Sequence, residues 1–352
     1  MALFKIDNIR IEGISACVPK NIMKTSEYTY ISEIERKVFA EGTGILERRV
    51  ASKQVCTSDM CFSAAKQLFI DTNTTESEID VLVFVSQSPD YFLPATSIIM
   101  QERLGLSKKT IAFDINLGCS GYVYGLAVIS NLISLTGFNK GLLLCGDKST
   151  FSPNPRDKST FPLFGDAATA TIISRDLTSK PIFFNLQSDG GGWESIIIRG
   201  GGTRLPYSEE TSKIKVIENG IERADCNLEL NGMEVFNFSL REVKPNILSL
   251  LEFAHIEMDC IDYLVMHQAN KLMNESVRKK LKFPKEKTPY SIQKFGNTSS
   301  ASIPLTIVSE LKDVLIKNEK RVLLSGFGVG YSWGSVLVDF NNIIISELVE
   351  IE

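Results

Sequence analysis

An α/β fold built from one unit used twice is predicted by three observations. Apolar strand-like runs alternate with helical stretches along the chain. Landmarks of the first half recur in the second at a near-constant offset. The polar residues with chemical potential, Cys119, His267 and Asn297, fall where strands end and helices begin, which is where α/β folds build their sites.

The runs VLVFVS, TIAFDIN, GLLLCG and ATATIIS read as buried strands, and SAAKQLFI and YVYGLAVISNLI as helices packed on them. Ile79, Asp80, Leu82 and Val83 are echoed by Ile261, Asp262, Leu264 and Val265. GLLLCG, starting at Gly141, is echoed by RVLLSG, starting at Arg321, and Gly118-Cys119 falls opposite Gly296-Asn297. All three pairs keep an offset of about 180 residues. The chain therefore divides into a half over 1–180 carrying Cys119 and a half over 181–352 carrying His267 and Asn297. Both copies turn polar residues toward their seam, and each member of the 118/296 pair is expected at a strand end.

Composition removes several functional classes. The chain has 352 residues, 43% hydrophobic and 23% charged, with a net charge of −4. That balance disfavours general affinity for nucleic acid or anionic membrane. The opening MALFKIDNIRIEGISACVP alternates like a strand and has no apolar core of a signal peptide, and no run is long enough to span a bilayer. Seven cysteines without CxxC spacing point to reduced thiols and a cytoplasmic location. With two histidines, His255 and His267, a His-rich metal site is difficult to assemble, and none is expected.

Four segments carry chemistry. DINLGCSGYVYGLAVISNLI reads as a strand, a Gly-flanked turn and an apolar helix starting just after Cys119, so the helix dipole is expected to lower the thiol pKa. His267 ends the strand IDYLVMHQ, immediately before the helical ANKLMNESVRKKL, whereas His255 lies in a helical context without a turn. In KFGNTSSASIPLTIVSEL, Asn297 is a donor that cannot titrate. A His Nε2 and an Asn amide together can hold a developing thioester enolate. LLSGFGVGYSWGSVLV reads as a hairpin whose glycine-rich loop lets backbone N–H groups approach a ligand oxygen, and it lacks the GKS or GKT ending of a phosphate loop.

The ordered set GCSG, FGDAATA, HQAN, FGNTSSASIP and GFGVGYSWGS resembles the β-ketoacyl-acyl-carrier-protein synthase III family of the thiolase superfamily, over about residues 8 to 340. The resemblance implies a duplicated, five-layer αβαβα thiolase-like fold working as a homodimer. It implies that Cys119 is acylated by an acyl thioester, from coenzyme A or an acyl carrier protein, and that His267 and Asn297 promote decarboxylation of a malonyl carrier. It further implies that the backbone N–H groups of Cys119 and Val329, beside Gly328, form an oxyanion hole, with Phe327 next to the nucleophile. Phe92 would reach across the dimer to shape the partner's acyl pocket. Asn270 matches a pantetheine contact, and Lys158 matches a phosphate-binding arginine.

The departures fall on the donor side. The tryptophan and arginine that clasp the adenine ring in the family are Val38 and Gly42 here, and the basic residue expected after HQAN to meet the carrier is Leu272, beside Lys271. Weak use of simple acyl-CoA primers is therefore expected. GFGVG lacks the second cysteine of thiolases, and the elongating synthases' second histidine has no counterpart in His255. Two alternatives stay open. One is an acyltransferase that passes the acyl group to a hydroxyl or amine without decarboxylation, and the other is a catalytically silent partner subunit.

Overall fold

The computed structural model describes residues 2–352. Its strands, in chain order, are β1 (Ala2–Ile6), β2 (Ile9–Pro19), β3 (Ile22–Lys24), β4 (Glu47–Arg49), β5 (Val81–Val85), β6 (Ile111–Ile115), β7 (Lys140–Lys148), β8 (Asp166–Arg175) and β9 (Ile182–Ser188). They continue with β10 (Ile196–Ile198), β11 (Lys215–Glu218), β12 (Ile221–Arg223), β13 (Leu228–Leu230), β14 (Tyr263–Met266), β15 (Lys320–Gly328), β16 (Ser332–Phe340), β17 (Ile344–Ile345) and β18 (Val349–Ile351).

Two large sheets repeat one topology. One runs β17-β2-β8-β7-β5-β6, with β18 also on β2, and the other runs β1-β9-β16-β15-β14. Parallel β5–β7 corresponds to parallel β14–β15, and antiparallel β7–β8 corresponds to antiparallel β15–β16. The repeated aspartate has a physical reason. Asp80 Oδ2 accepts the N–H groups of Asn139 and Lys140 where β7 starts, and Asp262 Oδ2 accepts the N–H of Arg321 where β15 starts. A boundary near residue 180 falls between β8 and β9, yet β1 crosses into the second sheet while β17 and β18 return to the first.

The layers are helix, sheet, helix, sheet, helix. Helices Thr57–Thr72 and Thr96–Arg103 cover the first sheet, and Gly232–Ala254 and Lys271–Leu281 cover the second. Gly121–Ser134 and the turn of helix Ser302–Thr306 lie between the sheets. A helix caught between two sheets must be apolar on nearly every side, and Tyr122, Val123, Leu126, Ile129 and Ile133 are all buried. Each such side chain contributes roughly 1.5–3 kcal/mol when fully buried. By contrast, Lys271–Leu281 buries only Met273, Asn274, Val277 and Leu281, one stripe at helical spacing.

One expectation is corrected. No strand precedes Asn297: where the first half has β6, the second has the short helix Ile292–Phe295, and Asn297 keeps only an isolated bridge to Phe164. Ile292 and Phe295 are both buried, three residues apart, with Lys294 turned outward. That spacing satisfies one helical turn.

Candidate active site

Cys119 stands between β6 and the helix Gly121–Ser134, one residue before its N-cap Ser120. His267 follows the last residue of β14, and Asn297 sits on the turn that leads into Ser302–Thr306. All three line one cavity of about 410 Å³ at the seam of the two halves. Asn270, Phe327, Gly328 and Val329 line it too. Aliphatic side chains line it as well: Ile196, Ile197 and Ile198 of β10, Leu228 and Leu230 of β13, and Val235.

Each side chain is held by specific neighbours. The backbone N–H groups of Val329 and of Cys119 itself lie near enough to the cysteine sulfur to favour its thiolate. His267 Nδ1 lies 2.7 Å from Ser302 Oγ, and the Ser299 carbonyl is a further partner of the imidazole. The Phe327 ring meets the His267 ring edge-on, with centroids 5.8 Å apart. Asn297 Oδ1 accepts the Ser299 N–H at 2.9 Å, so the amide nitrogen remains as the donor. The Asn297 backbone is fastened to the FGD segment, its N–H donating to Leu163 and its carbonyl accepting from Gly165. Asn270 spends its amide oxygen on the N–H of Met273, capping Lys271–Leu281.

The electrostatics reverse another expectation. Burial pushes the Cys119 thiol up to about 12; the Val329 N–H lowers it, the charge of Asp147 raises it further, and the Cys119 N–H lowers it least. Desolvation of the sulfur outweighs the donors at the helix start. Burial likewise holds the His267 imidazole down at about 3, opposed only by the Ser299 carbonyl. Both groups are thus neutral at physiological pH.

The remaining candidates lie apart from the cavity wall. Lys158 does not line it, and its ammonium meets Glu35 Oε1 at 3.1 Å. Phe92 is 90% exposed, next to Leu93 at 86%. Val38 and Leu272 are exposed as well. His255 is an exposed C-cap of the helix Gly232–Ala254, remote from the cavity lining. Asp147, Ser299 and Ser302 were not singled out from sequence. The only signal for the FGD contact to Asn297 was the FGDAATA motif itself.

Two stacked copies of one α/β unit, with a buried cysteine, histidine and asparagine at their junction, define a thiolase-like condensing enzyme. Residues 113–190 match the family described as 3-oxoacyl-[acyl-carrier-protein] synthase III, and residues 251–340 match its C-terminal part. The chain is 33% identical to β-ketoacyl-[acyl-carrier-protein] synthase III 1 of Halalkalibacterium halodurans, over 93% of this chain and 96% of the relative. It is 32% identical to the corresponding synthase of Enterococcus faecalis, over 94% and 98%. A solved 3-oxoacyl-(acyl-carrier protein) synthase from Burkholderia xenovorans superposes with a TM-score of 0.93 at 34% identity, covering 99% of both chains. The chain belongs to the β-ketoacyl-[acyl-carrier-protein] synthase III family. No helix among the described residues is long and apolar enough to cross a membrane.

Proposed function

We propose that Cys119 is the acyl acceptor and that His267 and Asn297 drive decarboxylative condensation upon it. The observation that carries this reading is that all three line one cavity, which aliphatic side chains of β10 and β13 line as well.

In the first half-reaction the cysteine sulfur attacks an acyl thioester. A new S–acyl bond forms, the donor's carbon–sulfur bond breaks, and the thiol proton leaves with the departing thiolate. A thiol raised to about 12 cannot wait as thiolate, so proton loss accompanies attack. The N–H groups of Cys119 and Val329 hold the carbonyl oxygen as it gains charge.

In the second half-reaction the malonyl carbon–carbon bond breaks and carbon dioxide departs. Its electron pair becomes an enolate held by His267 Nε2 and the Asn297 amide. A neutral imidazole suits this role in the tautomer whose Nδ1 accepts from the Ser302 hydroxyl and whose proton sits on Nε2; the tautomer in which Nδ1–H donates to Ser302 or to the Ser299 carbonyl would leave Nε2 without a proton to offer. The enolate carbon then attacks the acyl carbonyl, and the Cys119 thiolate leaves and takes up a proton. The enzyme is thereby an acyltransferase of the 3-oxoacyl-carrier synthase III type.

An acyl carrier protein, named in each relative compared above, delivers the malonyl unit. The enzyme works as a cytoplasmic homodimer. Its unpaired edge β6, together with the exposed Tyr91, Phe92 and Leu93, offers the apolar contact surface, and Phe92 enters the partner's acyl pocket. With Val38 and Gly42 at the adenine positions and Lys158 paired to Glu35, donors other than simple acyl-CoA are preferred. Efficient priming of the purified protein by acetyl-CoA would contradict that preference.

Release of carbon dioxide from malonyl carrier protein tests the reaction. Release in step with a β-ketoacyl product is expected, and acyl transfer to a hydroxyl or amine without carbon dioxide would replace the condensing reading. His267→Ala is expected to abolish the release while leaving acylation of Cys119.

A further inference from the structure

Asp147, next to last in β7, is a buried carboxyl group without an ion-pair partner among the described residues, and burial pushes its pKa up against the donors that surround it. Its neighbour Lys148 spends its ammonium on the carbonyls of Ser52 and Val55. Burying an unpaired carboxylate is costly, so its hydrogen bonds must be specific. They divide between the two halves of the fold.

One oxygen, Oδ1, accepts the Gln87 N–H at 2.7 Å and the Ser86 hydroxyl at 3.1 Å. Gln87 in turn presses on the nucleophile's segment: a Cβ at Gly118 would stand 2.3 Å from Gln87 Oε1. The other oxygen, Oδ2, accepts the Ser300 hydroxyl at 2.8 Å and the Ser300 N–H at 3.2 Å. Ser299 is a further donor to this carboxylate. Ser299 also pins Asn297 Oδ1 through its N–H and faces the His267 imidazole with its carbonyl.

We infer that Asp147 is a positioning residue that fixes the separation between the Cys119 sulfur and the His267–Asn297 pair, one oxygen holding the Gln87 loop against Gly118 and the other holding the Ser299–Ser300 turn. The inference rests on the roles proposed above for those three residues. Asp147 also lines the cavity, and in this reading it acts through the segments it holds and takes no part in the bonds made or broken. Its effect is on the transfer between half-reactions, where the enolate carbon must arrive within bonding reach of the acyl carbonyl.

Asp147→Asn is the direct test. An amide offers one acceptor oxygen, so whichever way it turns, one of the two arms meets a donor with a donor. The full-length variant is assayed for acyl adduct on Cys119, for carbon dioxide from malonyl carrier protein, and for β-ketoacyl product, with circular dichroism as the check on folding. Displacement of reacting groups by about 1 Å costs up to about 100-fold. The expected result is a product yield per carbon dioxide reduced about tenfold or more, with each separate half-reaction slowed less. A merely structural role would lower all three in the same proportion and leave the ratio unchanged. Should Asp147→Asn fail to fold, Ser300→Ala, which removes only the hydroxyl arm, is expected to lower the ratio in the same direction. An unchanged ratio in a folded variant, beside wild-type enzyme that performs both half-reactions, would overturn the role of Asp147 alone. Absence of either half-reaction in the wild-type enzyme would overturn the site assignment and this inference with it.

Discussion

The Gly328 backbone lies directly against Cys119: a Cβ at residue 328 would stand 2.5 Å from the cysteine Cβ and 2.8 Å from its sulfur. No side chain fits there. Because β15 brings residue 328 to the sulfur, the next N–H, that of Val329, is able to point at it.

Gly328→Ala should therefore displace either the sulfur or the Val329 N–H. Loss of one such donor costs on the order of 100-fold or more in acyl transfer. The rate of adduct formation on Cys119, followed by mass, is expected to fall by that order. Carbon dioxide release, assigned here to His267 and Asn297, should fall much less. Equal loss of both would place the effect in global folding instead.

The opposed shifts of Cys119 and His267 give a pH signature. A thiol pushed up to about 12 implies that alkylation of Cys119 by iodoacetamide keeps rising with pH up to about 10 without levelling off. A plateau near neutrality would mean a pre-formed thiolate. For His267 the folded value of about 3 lies below the ordinary 6.5, so the unfolded chain takes up the proton first as pH falls. Its contribution to stability is complete above pH 6.5 and is lost progressively on going down toward 3. The stability difference between wild type and His267→Asn, from denaturant midpoints, should shift against the wild type as pH is lowered through that window. A pH-independent difference would contradict a buried neutral imidazole.

Phe92 is the one site candidate that is almost fully exposed in a single chain, at 90%. If it enters a partner's pocket, Phe92→Ala should widen the acyl-length preference toward longer chains with little change in thermal stability of the protomer. The rates of Cys119 acylation across a chain-length series measure this. An unchanged preference would remove Phe92 from the pocket.

Much of the fold was legible because it repeats. The Asp80 and Asp262 pair marked two strands whose carboxylates perform the same backbone task, and the apolar runs at β5, β7 and β15 are too long and too buried to be mistaken. The turn that carries Cys119 was legible from Gly118, Cys119 and Gly121. The helix Ile292–Phe295 was missed because one buried turn of YSIQKFGN carries the same apolar content as a short strand. The raised thiol pKa was missed because local sequence reveals the helix start but not the depth of burial. Asp147 gave no signal, since its partners lie 61 residues away at Ser86 and 153 residues away at Ser300. Lys158 kept the expected charge, but its pairing with Glu35 depends on how the helix Glu33–Thr43 packs.

The central claim is that the Cys119 sulfur carries the acyl group that the enolate attacks. Intact-protein mass spectrometry after exposure to acyl carrier thioester, followed by peptide mapping, measures this directly. The expected result is one acyl mass added, located on Cys119, absent in Cys119→Ala, and discharged as β-ketoacyl product when malonyl carrier protein is supplied. An acyl group on another residue, or an adduct on Cys119 that malonyl carrier protein does not discharge, would contradict it.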